Sequence, residues 1–474
     1  MLPTRRVFPL VILFVLALVA PTGALAQNAS MPIEVGPEQQ RGVSLTVYNN
    51  DLALVRDERV LSLSAGLNIL RFSDVAKNID PTSVRFASLT APGELRLLEQ
   101  NFEYDLVSRQ KLLEKYVGRF IDFNCDGAIR PARLLAVDPQ GRLTVEMDGK
   151  ILLDPAGSVE LPALPQGLII RPTLVWYVEA KSASEHVVEV NYLTSGMNWR
   201  ADYICVLDDK DRSAAVNGWV TLNNSSGVTY RDASLKLVAG EVRTTDREIL
   251  AKAMPAAAPP APGQFEEKPL FEYHTYMLTR RTTVANNQLK QIELLSAPKV
   301  PVKKMYVFEN PIPRYGYQVF AGKKETGRVK VVIELQNKAE AGLGVPLPAG
   351  KVRVYKGSSD KSLDFVGEDT IGHTPRDETV RLYVGNAFDL VGERTITDYK
   401  KIGTNSYEEA CCIKLWNHKD EDVEITVIEK FYGEWTISSP ISYQKLDANT
   451  AAFKVRVPKG KDAEILYRVR VISD

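Results

Sequence analysis

The most polar well-marked loop of the sequence runs from His373 to Glu378. Besides the imidazole of His373, it carries a guanidinium at Arg376 and carboxylates at Asp377 and Glu378. Such groups donate and accept hydrogen bonds, and the imidazole and carboxylates can exchange protons. Because loops on a rigid scaffold often carry functional residues, we predict a binding site at these four positions.

The other catalytic motifs are incomplete. Ser108 and Lys111 have the Ser-x-x-Lys spacing of penicillin-binding enzymes, but the Lys-Thr-Gly that accompanies it is missing. We interpret the pair as part of an exposed first helical turn. Residues 208–211 (Asp-Asp-Lys-Asp) lack the spacing of a calcium loop and are interpreted as a solvated hairpin tip. We predict no catalytic residue, and the many carboxylates leave an acid/base pair neither assigned nor excluded.

The first 26 residues have the features of a secretory signal. Arg5 and Arg6 precede an uncharged apolar run, and Ala24-Leu25-Ala26 has the small-x-small pattern of a cleavage site. We predict cleavage after Ala26, a periplasmic or extracellular location, and no transmembrane span in the mature chain. The paired arginines also fit a twin-arginine signal, so the export route stays open.

Histidines and cysteines do not show the spacing of a metal site. They are His186, His274, His373 and His418, and Cys125, Cys205, Cys411 and Cys412. We expect no metal and no cofactor. In an oxidising compartment four cysteines permit disulfides in three connectivities, and the sequence does not decide whether any forms.

Charge balance bears on the partner. The 474 residues include 59 basic and 59 acidic side chains, so the formal charge is zero. Nucleic acid is therefore not expected as a partner, because phosphate binding needs a basic surplus. At about 150 residues per domain, the length suggests about three domains.

Period-two alternation dominates the mature chain. Val43, Leu45 and Val47 alternate with polar neighbours, and similar runs recur between turn signals. We therefore predict a mainly β protein, with multiple antiparallel β-sandwich domains, a small SH3-like barrel insertion and one short helix. The neighbouring runs within 61–72 and within 453–471 are each predicted to form a hairpin.

One helix is predicted over 106–117, with Asp105 as its cap and Gly118 as its left-handed stop. Five short strands of the inserted barrel are predicted to follow, at 119–123, 133–137, 143–147, 150–153 and 158–161. The predicted domains are an N-terminal sandwich (27–103 plus 168–245), the insertion (104–167), a Pro/Ala-rich linker (246–270), a middle β domain (271–376) and an immunoglobulin-like sandwich (377–474).

Aromatic residues cluster in the second half of the first sandwich. They are Trp176, Tyr177, Trp199, Tyr203, Trp219 and Tyr230. Core packing is the default interpretation, and a platform for a sugar or a peptide is the alternative.

Several stretches resemble a known family. They are Val47 to Val55, Gly218 to Asn224, Tyr230 to Gly240, Leu347 to Tyr355, and Val366-Gly367-Glu368-Asp369 through Gly385 to Asp389. The family is catalogued as domain of unknown function 4139 and is distantly related to proteins described as mucoidy inhibitor A. The resemblance covers nearly the whole mature chain. It implies no established reaction or catalytic residues, and the related name implies a link to capsule or envelope polysaccharide.

The function that follows from these features is binding. We expect an exported β protein of the bacterial envelope that binds a partner protein or a glycan and is not an enzyme, with its oligomeric state open. The alternative is a hydrolase acting on cell-envelope polysaccharide or peptide, which would use loop carboxylates or His373.

Overall fold

The computed structural model describes residues 31–125, 127–165, 168–240, 264–270, 273–309, 321–322, 324–357 and 362–472. The predicted signal peptide and most of the predicted linker lie outside the described residues. Strands dominate, which confirms the mainly β class. Helical structure in the described part of the chain is too short and too polar to cross a membrane.

The elements of the first half alternate between sandwich strands and the insertion. The first strands are β1 (Ile33–Val35), β2 (Gln40–Tyr48), β3 (Ala53–Leu63), β4 (Gly66–Ser73), β5 (Arg85–Ser88) and β6 (Leu95–Glu103). The insertion contains α1 (Arg109–Tyr116), β7 (Phe120–Cys125), β8 (Ala128–Val137), β9 (Leu143–Met147), β10 (Lys150–Leu153) and β11 (Ser158–Glu160). It is followed by β12 (Thr173–Ala180), β13 (Ser184–Thr194), β14 (Met197–Leu207), β15 (Ser213–Asn224) and β16 (Tyr230–Ala239).

The second half contains two unusually long strands. Its elements are β17 (Phe265–Leu270), β18 (Tyr273–Leu278), β19 (Thr282–Val284), β20 (Gln288–Glu309), β21 (Lys324–Gln336), β22 (Gly350–Gly357), β23 (Leu363–Ile371), β24 (Thr379–Lys401), β25 (Ser406–Asn417), β26 (Val423–Lys430), β27 (Glu434–Ser438), β28 (Tyr443–Lys445), β29 (Thr450–Val457) and β30 (Asp462–Ile472). Short 3₁₀ turns lie at Pro37–Gln39, Pro81–Ser83 and Ala339–Ala341.

Two sheets of the first half share one hydrophobic core. One has the order β1-β4-β12-β6, and the other has the order β17-β18-β16-β2-β3-β13-β5. Phe72 and Trp176 are both fully buried in this core, with ring centroids 5.1 Å apart. The predicted hairpin over 61–72 is wrong, because β3 and β4 pair in different sheets. The chain crosses the core at Ser64-Ala65 instead of turning back within a sheet.

The largest sheet links this core to a second one. Its main path is β23-β22-β14-β15-β20-β21-β24-β25-β30-β27, with β26, β28 and β29 attached through β20. β20 and β24 are 22 and 23 residues long, and each places residues in both cores. The predicted hairpin over 453–471 is also wrong, because β29 pairs with β26 and β28 while β30 pairs with β25 and β27.

The insertion has its own small core around Leu113, Phe123 and Val145. Its sheet has the order β10-β9-β8-β7-β11, and within the described residues the outer strands β10 and β11 do not pair with each other. The five strands therefore form an open sheet, not the closed barrel that the sequence suggested.

The helix of the insertion starts later than predicted. Ser108 is its cap, accepting a hydrogen bond from Lys111 N at 3.3 Å. Asp105 O accepts a hydrogen bond from Ile169 N, and Leu106 forms a β-bridge with Ile169, so the helix cannot begin at these two residues. Gly118 has a φ of 84°, which confirms the left-handed stop.

The predicted domain boundaries stay a prediction, although strand pairing crosses two of them. β14 and β15, expected in the N-terminal sandwich, pair with β22 and β20 of the large sheet. β17 occupies the end of the predicted linker and pairs with β18.

Candidate functional site

The predicted loop is held by its backbone. The buried Asn337 donates from Nδ2 to Pro375 O at 2.8 Å, and its backbone O accepts from Asp377 N. His373 Nδ1 accepts from Ala349 N at 3.1 Å. His373, Asp377 and Glu378 are exposed and Arg376 is half-buried. The structure thus gives this loop a defined shape.

The aromatic cluster belongs mainly to the core. Trp176, Trp199, Tyr203 and Tyr230 are at most 3% exposed. The indole of Trp199 donates to Val238 O at 3.1 Å, and the hydroxyl of Tyr203 donates to Pro348 O at 2.8 Å. Core packing, the default interpretation, therefore accounts for these four residues.

None of the four cysteines forms a disulfide in the structure. Cys205 and Cys411 are buried, and burial raises the pKa of the Cys205 thiol to about 11. Over the residues that the structure covers, no three or more His, Cys, Asp or Glu side chains form a group that could hold a metal.

A cleft of about 1040 Å³ lies along one face of the large sheet. We call it the sheet cleft. Five adjacent strands, β29, β26, β20, β21 and β24, supply side chains to its floor. The opposite face of β20 is buried through Tyr306 and Phe308, so alternation directs Lys303, Met305 and Val307 toward the cleft.

The middle of the floor is apolar. Met305 on β20 lies opposite Val332 on β21, which lies opposite Tyr383 on β24. Val307 is the next residue of β20 that faces the cleft, and Ile428 of β26 also lines the cleft. These five side chains come from four adjacent strands, and we call them the apolar strip; Ile428 lies opposite Glu309, so the strip is not continuous at β26.

Ion pairs flank the apolar strip. Lys330 Nζ donates to Glu309 Oε2 at 2.7 Å, and Arg381 Nε donates to Glu334 Oε2 at 2.8 Å. Lys303 and Lys454 line the same cleft and have no ion-pair partner within the described ranges. The margins therefore carry both fixed ion pairs and unpaired ammonium groups.

Two carboxylates at the cleft are each held by two lysines. Hydrogen bonds from Lys330 and Lys430 lower the pKa of the Glu309 carboxyl. Burial alone would raise the pKa of the Asp211 carboxyl, but hydrogen bonds from Lys304 and Lys356 outweigh burial and lower it. Both carboxylates therefore stay ionised at neutral pH and hold the strands around the cleft in place.

None of the four predicted loop residues lines the sheet cleft. The sequence carried a weak signal for the cleft, since the Lys303-x-Met305-x-Val307-x-Glu309 face mixes apolar and charged residues. That pattern does not reveal that four further strands extend the same face.

Comparison with protein families and with curated proteins finds no match for this chain. The resemblance to the domain of unknown function 4139 family therefore stays a prediction.

Proposed function

We propose that this protein is an exported binding protein of the bacterial envelope, whose sheet cleft holds an extended segment of a partner polypeptide. The observation that carries the proposal is the apolar strip, whose side chains come from four adjacent strands and are flanked by charged groups. The signal-like N-terminus supports export. Membership of the domain of unknown function 4139 family is part of the same proposal.

The dimensions of the cleft suit a peptide segment. Five strands at about 4.8 Å spacing span about 19 Å, which equals about six extended residues at about 3.3 Å each. The apolar centre would receive apolar side chains, while the charged margins would pair with polar ones, as in protein interfaces generally. Met305 can adapt to different side chains because its unbranched chain is flexible.

Fixed charges favour selective binding. The ion pairs of Glu309 and Glu334 are already formed, so little ordering is needed when a partner binds. The unpaired Lys303 and Lys454 would attract carboxylates of the partner. We therefore expect the bound segment to alternate apolar residues with residues that include Asp or Glu.

The test is a selection from displayed random peptides of about ten residues, which is longer than the about six extended residues that span the cleft. Enriched peptides are then titrated by fluorescence anisotropy against the wild type and Val307→Glu. We expect the charge in the apolar strip to weaken binding by about tenfold or more. Leu466→Glu is the matched control, because Leu466 is 51% exposed on β30 and lies outside the cleft.

Two results would contradict the proposal. One is selected peptides that bind Val307→Glu as well as they bind the wild type. The other is a glycan array that gives binders at this cleft when peptides give none. Turnover of cell-wall or capsule fragments that is lost in His373→Ala or Glu378→Ala would favour the hydrolase instead.

A further inference from the structure

A second cavity, of about 510 Å³, lies in the first half of the molecule and is separate from the sheet cleft. We call it the tyrosine pocket. Asp57 and Arg59 from β3, Tyr192 from β13 and Tyr230 from β16 form its floor, and each is at most 3% exposed. Its volume lies within the range of about 300–1,000 Å³ that is usual for small-molecule sites.

Hydrogen bonds hold the two charged side chains of the floor in place. Arg59 Nη2 donates to Asp57 Oδ2 at 2.8 Å, and Gln40 Nε2 donates to Asp57 Oδ1 at 2.9 Å. Arg59 Nη1 donates to the backbone carbonyls of Val35 and Ser73, each at 2.9 Å. Both oxygens of Asp57 accept hydrogen bonds, so this carboxylate holds Gln40 and Arg59 in place at the floor.

The two tyrosines present neutral hydroxyls to the cavity. The Tyr192 and Tyr230 side chains interact electrostatically, and Ser226 Oγ lies 3.4 Å from the Tyr230 hydroxyl. Burial raises the pKa of Tyr230 to about 12 and raises the pKa of Tyr192 well above its usual value. Both hydroxyls are therefore protonated at neutral pH and can donate hydrogen bonds.

The rim is cationic. Lys77, Arg171 and Arg231 all line the cavity. Arg171 forms an ion pair with Asp74, with Nη1 3.3 Å from Oδ2. Lys77 and Arg231 have no ion-pair partner in the described part of the chain. Counting the floor, four cationic side chains face two carboxylates, so the pocket has a positive surplus.

A turn keeps one of these cations at the rim. Gly227 has a φ of 96°, and a Cβ at this position would come within 2.9 Å of Lys77 Cγ. Gly227 N donates to Asn286 Oδ1 at 3.0 Å, which holds the turn in place. The glycine thus lets the Lys77 side chain lie against the turn beside the opening.

We propose that the tyrosine pocket binds a small hydroxylated anion, with a carboxylate or phosphate group at Lys77 and Arg231 and hydroxyl groups at Tyr192 and Tyr230. The cations supply charge-assisted hydrogen bonds to the anionic group. The deeper tyrosines supply neutral donors that suit the hydroxyls of a sugar-sized molecule. This inference does not depend on the peptide-binding function proposed for the sheet cleft.

The experiment is isothermal titration of the full chain with four probes. Glucuronate and glucose 6-phosphate combine hydroxyls with a carboxylate or a phosphate, glucose lacks the charge, and inorganic phosphate lacks the sugar hydroxyls. We expect at least one charged sugar to bind with a Kd on the order of millimolar or tighter, and glucose and inorganic phosphate to bind about tenfold more weakly or worse. The stronger of the two charged sugars then identifies the anionic group.

Variants locate the binding. Arg231→Gln and Tyr230→Phe should each raise the Kd of the charged sugar by about tenfold. Arg470→Gln on β30 is the matched control, because Arg470 is exposed and far along the chain from the pocket. Val307→Glu in the sheet cleft should leave sugar binding unchanged. Circular dichroism melting of each variant confirms that it is folded.

The proposal is overturned if neither charged sugar binds at millimolar concentration, or if glucose or inorganic phosphate binds as well as they do. It is also overturned if binding survives in both Arg231→Gln and Tyr230→Phe. Loss of peptide binding at the sheet cleft, with sugar binding intact, would contradict the proposed function alone.

Discussion

Replacing Arg394 by methionine tests how the second core tolerates buried charge. The Arg394 side chain is 2% exposed and donates to Glu409 from Nη2, while its Nε lies 3.3 Å from Glu429 Oε2. Tyr467 donates to the same Glu429 oxygen at 2.8 Å. One guanidinium thus compensates two carboxylates that are at most 2% exposed.

The geometry gives the size of the effect. Two unit charges 3.3 Å apart interact by about 5 kcal/mol at an effective dielectric constant of about 20. Removing the cation takes a counterion from both buried carboxylates, a change that commonly costs about 3–5 kcal/mol. We expect Arg394→Met to lower the free energy of unfolding of this region by that amount.

Urea unfolding followed by tryptophan fluorescence measures the loss. Trp435 is a suitable reporter because it packs 5.2 Å from Phe431, which contacts Tyr467. Urea is preferred to guanidinium because it does not screen the charges. Arg468→Met is the matched control: Arg468 is 45% exposed and pairs with Asp398 at 3.1 Å, so its loss should cost less than about 1 kcal/mol.

The comparison with Arg468→Met decides whether the buried position is the cause. If Arg394→Met costs no more than Arg468→Met, the reasoning about this cluster is wrong.

Three further predictions concern other parts of the molecule. The folded pKa of Glu309 is lowered, so its stabilising contribution is present above the unfolded pKa of about 4.3 and is lost at lower pH. The difference in unfolding free energy between wild type and Glu309→Gln should therefore disappear below about pH 4. A difference that stays constant with pH would contradict this. A Cβ at Gly350 would lie 2.2 Å from a backbone carbonyl oxygen of β14, so Gly350→Ala should lower the free energy of unfolding by about 1–3 kcal/mol in chemical denaturation. Gly372→Ala is the control, because a Cβ there would meet nothing within 4 Å, and it should cost less than about 0.5 kcal/mol. Equal losses in the two variants would refute the steric argument. A thiol reagent should titrate four thiols in denaturant without reductant and should react slowest with Cys205 and Cys411 in the folded protein, and fewer than four would show a disulfide.

Much of the secondary structure could be predicted because its causes are local. The strands 143–147 and 150–153 of the insertion form as predicted, since alternation and a two-residue Asp-Gly turn define them. The start of the helix was predicted wrongly because Asp105 and Leu106 pair with Ile169, some sixty residues away, and the helix therefore begins only after Ser108.

The candidate sites could not be predicted, because each is assembled from distant strands. The tyrosine pocket combines Arg59, Tyr192 and Tyr230, and the buried cluster of Arg394 combines residues from four strands. The polar loop at 373–378 was prominent in sequence because its residues are adjacent. Adjacent polar residues are easily recognised, whereas convergent ones are separated by long stretches of ordinary strand.

The sequence by itself determined that the chain forms strands and which side chains share a face. Residues 61–72 and 453–471 show what it left open, since in each case the two neighbouring strands pair with other strands instead of with each other. Alternation specifies the buried face of a strand but not its partner, because many partners would cover that face equally well. The tertiary structure chose among them through long-range packing, and that choice created the sheet cleft and the tyrosine pocket.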